Sequence, residues 1–375
     1  MPGFPLPLPI LPPPEPGEAW GCLDLPGPPD VRIEARGPFA SSALPPADGL
    51  AFYTNDFALS DPAPWKIPAR SGTAARCPAA PSDPADQTDP PDPANQPDPP
   101  IPATSWTPPD RREFRAVFDE AMRAINGRQL LKVVPACTAS ARLSGNPAAA
   151  LHSLLDPARS NGRGHAAAWS DGVNGFATIT PEVLFRLDGA RLTTMALAGT
   201  ADAAHEADLR KGPKLAREHE IVVDELHRRL ATLGRVTMTD REVVTLGTVR
   251  HLRTSLSVNL SSAPGGSALN DLIRLLHPTP ALGISPRSET TLAQLQDYRK
   301  RCGVPAAFGA PCGVAWPGGA LFLVAIRGLF WTEKEIRLPV GGGLVAGSVF
   351  ETEWEELELK RAWVRSAFEL DAVHA

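Results

Sequence analysis

The stretch Ala166–Leu197, AAAWSDGVNGFATITPEVLFRLDGARLTTMAL, decides the architecture. Four short runs in it, Ala166–Ser170, Gly175–Thr180, Val183–Leu187 and Arg191–Leu197, read as successive strands. Turn pairs at Asp171–Gly172 and Asp188–Gly189 punctuate them. Further along, strand-like runs recur at Val243–Thr245, Ser255–Leu260, Ala320–Ile326, Leu329–Trp331 and Glu335–Val340. Helical spacing appears between these groups: Asp110–Asn126, with Phe114, Val117, Phe118, Met122 and Ile125 on one side; Pro147–Leu155; a long helix opened by Pro213 and running to about Thr232; Ala268–Leu276; Thr290–Arg301; and Thr352–Leu370. Strands dominate and helices fall between groups of them. That order predicts an α+β fold, with β-sheets around a core and external helices, rather than an alternating parallel fold.

The N-terminal third has a different composition. Of 42 prolines, 29 lie in the first 110 residues. Residues 1–30 are too proline-rich for a helix or a central strand. Residues 31–70 carry strand-like pieces at Val31–Ala35 and Leu50–Tyr53 that suit an edge of the fold. Residues 71–109, with SDPADQTDPPDPANQPDPP, read as an extended Pro/Asp-rich linker or disordered loop. The expected organisation is a proline-rich segment over 1–70, that linker, and a globular domain over 110–375.

Composition excludes several classes. The chain has 375 residues, 43% hydrophobic content and a formal net charge of −5, so it can bury a sizeable core and has no general affinity for nucleic acid. Five scattered cysteines without a C-x-x-C pair suit a reducing, cytoplasmic compartment and no zinc site. No apolar run approaches the roughly 18 residues a membrane span needs, and the proline-broken N-terminus lacks a basic leader. There is no P-loop, no G-x-G-x-x-G and no internal repeat.

Several residues could carry chemistry. In VGGGLVAGSVFETEWEELELK, residues 340–360, three glycines precede a helix on which Glu353, Glu356 and Lys360 share a face. Bare backbone beside two carboxylates and an amine suits a small anion bridged by a hard cation, or else a glycine turn before a solvated helix face. Lys132, in the apolar strand Leu130–Val134, either snorkels to water from an edge or is a buried amine able to act as a base. Glu182, after Pro181 and between Ile179 and Val183, is either a proton-holding acid or a turn glutamate paired with Arg186 or Lys132. Glu218 on the Pro213 helix becomes a third carboxylate if Glu356 holds a cation. Arg327, after an apolar strand, suits bidentate carboxylate binding. His251 and His277 lack zinc-ligand spacing.

Ten segments, in order, resemble the chorismate-utilising enzymes: LLKVV, TPEVLFRLDG, TMALAGT, KLAREHEIVVDEL, HLRT, LHPTPAL, FGAPCG, LVAIRG, GGGLVAGS and EWEELELK, spanning about residues 110–370. The resemblance implies antiparallel sheets, a buried cleft and one Mg²⁺, with residues 110–375 as the chorismate-binding catalytic domain. It implies Glu218 and Glu356 as metal ligands, with Glu353 nearby or acting through water. It implies Ala198, Gly199 and Thr200 along the substrate ring, His251 by the metal-side carboxylate, Arg327 and the amides of Gly341, Gly342 and Gly343 on the carboxylates, and Lys360 as added positive charge. Members that use water rather than ammonia carry a lysine in the KVV position, so Lys132 becomes the base that activates water and Glu182 the acid for the departing C4 hydroxyl. No glutaminase partner is then expected. Pro280–Ala281 stands where salicylate synthases carry Val-Thr, so the resemblance favours an isochorismate synthase serving menaquinone or siderophore synthesis. Salicylate synthase, an ammonia-using synthase and a non-catalytic chorismate-binding protein are the alternatives.

Overall fold

The computed structural model describes residues 9–25, 31–75, 101–103, 105–155, 164–202, 206, 209, 212–246 and 249–370. Its strands, in chain order, are β1 (Trp20–Leu25), β2 (Val31–Ser42), β3 (Ala51–Thr54), β4 (Trp65–Ala75), β5 (Lys132–Val133), β6 (Ala136–Arg142), β7 (His165–Ser170), β8 (Gly175–Thr180), β9 (Val183–Asp188), β10 (Arg191–Asp202), β11 (Val236–Met238), β12 (Glu242–Leu246), β13 (Val249–Asn259), β14 (Ile284–Ser285), β15 (Pro311–Trp316), β16 (Gly319–Val324), β17 (Gly328–Trp331) and β18 (Glu335–Gly341). The helices are α1 (Arg111–Asn126), α2 (Ala148–Leu154), α3 (Pro213–Leu230), α4 (Ser267–Leu276), α5 (Glu289–Arg301) and α6 (Phe350–Ala367).

Sixteen strands form one sheet in the order β11-β13-β10-β9-β16-β15-β3-β4-β2-β1-β7-β8-β17-β18-β6, with β12 also pairing β13. β14 and β5 form a separate two-stranded ladder in which Ile284 faces Val133 and Ser285 faces Lys132. Every pairing is antiparallel, and the four strands read in Ala166–Leu197 are β7 to β10. Not all of them pair in sequence, however. The turn at Asp171–Gly172 closes the β7–β8 hairpin, but β8 then pairs β17 while β9 joins β16 and β10. Pro181 and Glu182 therefore sit where the chain leaves one flank of the sheet for the other, which puts them at the mouth of the interior.

Buried strands read as continuous apolar runs because both faces are covered. β15 is buried at all six positions and β16 at five of six. Helix ends follow local chemistry. The Asp110 side chain accepts from the amides of Arg112 and Glu113 at the start of α1, and Pro213 opens α3 at N1.

The proline count misjudged the N-terminal third. Trp20–Leu25, within the segment expected to hold no central strand, is β1, paired on both sides by β2 and β7. Its prolines flank the strand instead of interrupting it: β1 itself reads WGCLDL. β2, β3 and β4 are likewise interior to the sheet order and not an edge. Residues 71–75, assigned to the linker, continue β4, and Ala103 and Thr107 bridge to Leu143 and Ser140. The linker reading for 76–100 lies outside the described residues. No described helix is long and apolar enough to cross a membrane.

Candidate active site

A cleft opens between the carboxyl end of β10, α3, the β16–β17 connection, β18 and α6. Its wall includes Glu182, Ala198, Gly199, Thr200, Glu218, His251, Arg327, Gly341, Gly343, Glu356 and Lys360. Residues spread over 179 positions of sequence thus converge on one cavity.

Each side chain is aimed by a local feature. The β10–β13 register slips between Ala198 and Thr200, and Gly199 sits at φ +75°, a conformation that costs glycine nothing. The bulge turns Thr200 toward its neighbours: its hydroxyl lies 3.3 Å from His251 Nδ1 and also hydrogen-bonds Glu356. His251 Nδ1 lies 3.1 Å from the Gly199 carbonyl, which only a protonated nitrogen can satisfy. Nε2 is then the acceptor for Arg327 Nη2 at 3.2 Å. Burial and the adjacent guanidinium hold His251 well below the usual histidine range, so it is neutral. Arg327 itself stands at φ +56°, buried, with its guanidinium 5.4 Å from the Trp363 ring. Burial pushes it down to about 10, and Glu356 opposes that. It remains a cation with its donors facing the cleft wall, as carboxylate binding requires.

Glu182 is 3% exposed. Its backbone is pinned by an amide bond to Thr180 Oγ1 at 3.2 Å and by its carbonyl accepting from Val324 at 3.1 Å. Thr279 Oγ1 donates to Oε1 at 2.8 Å. Burial pushes its pKa up to about 7, against the pull of the Thr279 hydrogen bond and the Lys132 charge. The turn-glutamate reading fails, since neither Arg186 nor Lys132 forms an ion pair with it: Arg186 binds Asp188 and Lys132 binds Glu218.

Lys132 is fully buried, which excludes a snorkelling edge lysine. Its Nζ lies 2.8 Å from Glu218 Oε1. Glu218 lines the cleft and Lys132 stands behind it. The three glycines divide their work. Gly343 leaves room for the pair: a Cβ there would overlap Glu218 Oε1 and lie about 3.0 Å from Lys132 Cε, so these side chains would have to move. Gly341 accepts from Lys360 Nζ through its carbonyl at 2.8 Å. Gly342, expected to offer its amide to a ligand, spends it on the Pro135 carbonyl at 3.2 Å and does not line the cleft. Gly343→Ala should therefore abolish turnover and cost about 1–3 kcal/mol of stability through overpacking. Gly342→Ala, whose Cβ would meet Leu357 at an ordinary 3.4 Å, should leave turnover within a few-fold. Parallel rate and urea-unfolding measurements check the contrast.

The three acidic candidates each face a lysine. Glu218 pairs with Lys132, Glu356 with Lys360 at 2.6 Å, and Glu353 with Lys214. Lys214 also feels Glu356 and Glu218, so the three carboxylates surround one region. Burial and Glu356 raise the Glu353 pKa against the pull of Lys214, and its Oε2 is buried with no hydrogen-bond partner. For Glu356, burial acts upward but Lys360 and Lys214 prevail and hold it below the usual carboxylate range. The donor set fits a hard divalent cation: two carboxylates, Glu218 and Glu356, in the wall and an orphaned carboxylate oxygen behind them. Among the described residues no three His, Cys, Asp or Glu side chains form a ready-made cage.

Sequence reasoning missed Lys214 and Thr279. Lys214 stands one helical turn before Glu218 on α3, a spacing that could have flagged it. Thr279 contacts Glu182 across 97 positions and left no local signal.

Residues 83–369 match the family described as chorismate binding enzyme. Over 267 residues the chain is 28% identical to isochorismate synthase MenF of Pasteurella multocida, covering 67% of this chain and 60% of that relative. Over 204 residues it is 33% identical to the salicylate biosynthesis isochorismate synthase of Pseudomonas aeruginosa, covering 51% of this chain and 41% of that one. The matched stretches thus span less than two thirds of either relative. The solved structure of a putative 2,3-dihydroxybenzoate-specific isochorismate synthase, DhbC from Bacillus anthracis, shares the fold with a TM-score of 0.74 over 94% of this chain and 97% of that one, at 19% identity. The match over residues 83–369, well beyond half of the 375 residues, shows that this chain belongs to the chorismate-binding enzyme family.

Proposed function

We propose that this chain converts chorismate to isochorismate. The observation that carries the reading is buried Glu182 in the cleft wall, its pKa raised to about 7 by burial, with buried Lys132 behind Glu218 close enough to act on its charge. Lys132 takes a proton from water, and the water oxygen attacks ring C2. The ring double bonds shift and the C4–O bond breaks with its electron pair on oxygen. Glu182 gives its proton to that oxygen, and a second water leaves. One water enters and one departs, so the reaction is an isomerisation. Arg327, with neutral His251 accepting one of its N–H groups, binds a substrate carboxylate; Lys360 adds positive charge beside Glu356. Glu218 and Glu356, with Glu353 behind them, would hold Mg²⁺, which supplies charge neutralisation for the dianionic substrate.

Two features support isomerisation over amination or pyruvate loss: the buried lysine in the KVV strand and Ala281 in the cleft wall. Chromatography of products after incubation with chorismate tests it. Isochorismate should form with Mg²⁺, and chelation should stop it, without pyruvate release or dependence on ammonia. Pyruvate in the products would instead make the chain a salicylate-forming enzyme. Anthranilate-type products with ammonia would overturn water as the nucleophile.

A further inference from the structure

We propose that Thr279 is the positioning residue for the acid: it occupies Oε1 of Glu182 and so keeps the transferable proton on Oε2, toward the cleft. The inference rests on the reading of Glu182 as the proton donor. Thr279 is 2% exposed and its hydroxyl donates to Glu182 Oε1 at 2.8 Å. An oxygen that accepts this hydrogen bond is the poorer place for a proton, so the neutral carboxyl carries it on the other oxygen. Glu182 lines the cleft, where a departing hydroxyl would meet that proton.

The segment is built to hold the hydroxyl still. Thr279 lies between Pro278 and Pro280, whose rings fix φ on both sides. Its carbonyl accepts from Leu282 at 3.1 Å, closing a turn. A Cβ on Gly283 would come within 2.8 Å of that carbonyl, so the bare glycine lets the backbone pack against the turn. Upstream, His277 Nε2 binds the Phe57 carbonyl at 2.8 Å. Opposite, the Glu182 backbone is tied to Thr180 and Val324. Both ends of the Thr279–Glu182 hydrogen bond are therefore anchored.

The bond also changes strength during the reaction. When the C4–O bond breaks and the Oε2 proton passes to the leaving oxygen, Glu182 becomes a carboxylate. A hydroxyl donating to a carboxylate binds it more tightly than it binds the neutral acid. The contact thus favours the proton-transferred side over the ground state, which is the kind of interaction that raises kcat and leaves KM alone. The other titratable groups in or behind the cleft wall are Lys132 from β5, Glu218 from α3, His251 from β13, Arg327 after β16, and Glu356 and Lys360 from α6. None of them changes when Thr279 is replaced, so a shift in the pH profile reports Thr279.

The test compares Thr279→Val, Thr279→Ala and Thr279→Ser with the unaltered chain and with Glu182→Gln, on chorismate with Mg²⁺, across pH 5 to 9. Thr279→Val should lower kcat roughly tenfold to a hundredfold with KM little changed. Its alkaline limb should move to higher pH, because the hydrogen bond that stabilised the carboxylate is gone. Thr279→Ser should restore both kcat and the limb. Infrared difference spectra of the protein without substrate should show the Glu182 carboxyl staying protonated to higher pH in Thr279→Val. If the valine variant does not fold, Thr279→Ala is read the same way. Unchanged kcat and limb in Thr279→Val or Thr279→Ala, with Glu182→Gln inactive, would overturn the positioning role alone. A serine variant as slow as valine would also overturn it. An active Glu182→Gln would remove the reading beneath it.

Discussion

Glu182→Gln should lower kcat by roughly 100- to 10,000-fold, the usual contribution of a positioned proton donor. The amide is nearly the same size and can still accept from Thr279 through its oxygen, so the loss would report chemistry and not collapse of the cleft. The unaltered chain supplies the complementary pH signature. The acid must be protonated to work, and burial has raised its pKa from 4.5 to about 7. Turnover limited by this step should therefore be sustained below pH 7 and fall above it. Stability carries the same sign. The folded-state pKa lies above the unfolded value, so the contribution is fully present below about pH 4.5 and is lost as pH rises through 7. Glu182→Gln removes that titration. It should melt at a higher temperature than the unaltered chain at pH 8, with the difference shrinking toward pH 4. An inactive variant that shows no stabilisation at pH 8 would mean that Glu182 is not held neutral by the fold. A fully active one would remove it from the mechanism.

Lys132→Met should lose both activity and stability, for separable reasons. The Lys132 and Glu218 side chains are 1% and 9% exposed and 2.8 Å apart. Removing the ammonium leaves a buried carboxylate without its partner, which costs about 3–5 kcal/mol in comparable pairs. Adding Glu218→Gln takes away that charge and should recover much of the loss, because a neutral amide against a methionine needs no counter-ion. Turnover should stay roughly 100- to 10,000-fold down in the single and the double variant alike, since the double has neither the proposed base nor an intact cation ligand. Urea unfolding of the four members of this cycle gives the coupling energy, and steady-state rates give the chemistry. Recovered turnover in the double variant would show that Lys132 serves only to neutralise Glu218.

The contrast between Lys132 and Lys360 shows where sequence reading succeeds and stops. Lys360 shares one helix face with Glu356 because four residues make about one turn, a distance that spacing alone specifies. Lys132 could be recognised as an amine in an apolar run, but its partner lies 86 positions away. The same run could not reveal that the strand would be only two residues long and pinned by Ile284 and Ser285. Gly342 and Gly343 look identical in the chain; only packing against Glu218 and Lys132 on one side and Leu357 on the other tells them apart. Proline content misled over Trp20–Leu25, because counting prolines per segment ignores that the nine residues between Pro16 and Pro26 leave room for a six-residue strand.

What the amino-acid order determined alone was local and periodic: strands of period two, helices opened by Pro213 or capped by Asp110, the carboxylates one turn apart on α6, and the ordered motifs that mark the family. What only the tertiary structure decided was which distant groups share a desolvated cavity. Glu182 has its pKa raised because the fold buries it beside Thr279, Lys132 is hidden because Glu218 reaches it, and Arg327 is held by His251. Those properties arise from removal of water and from through-space charge, which depend on distances that chain separation does not encode.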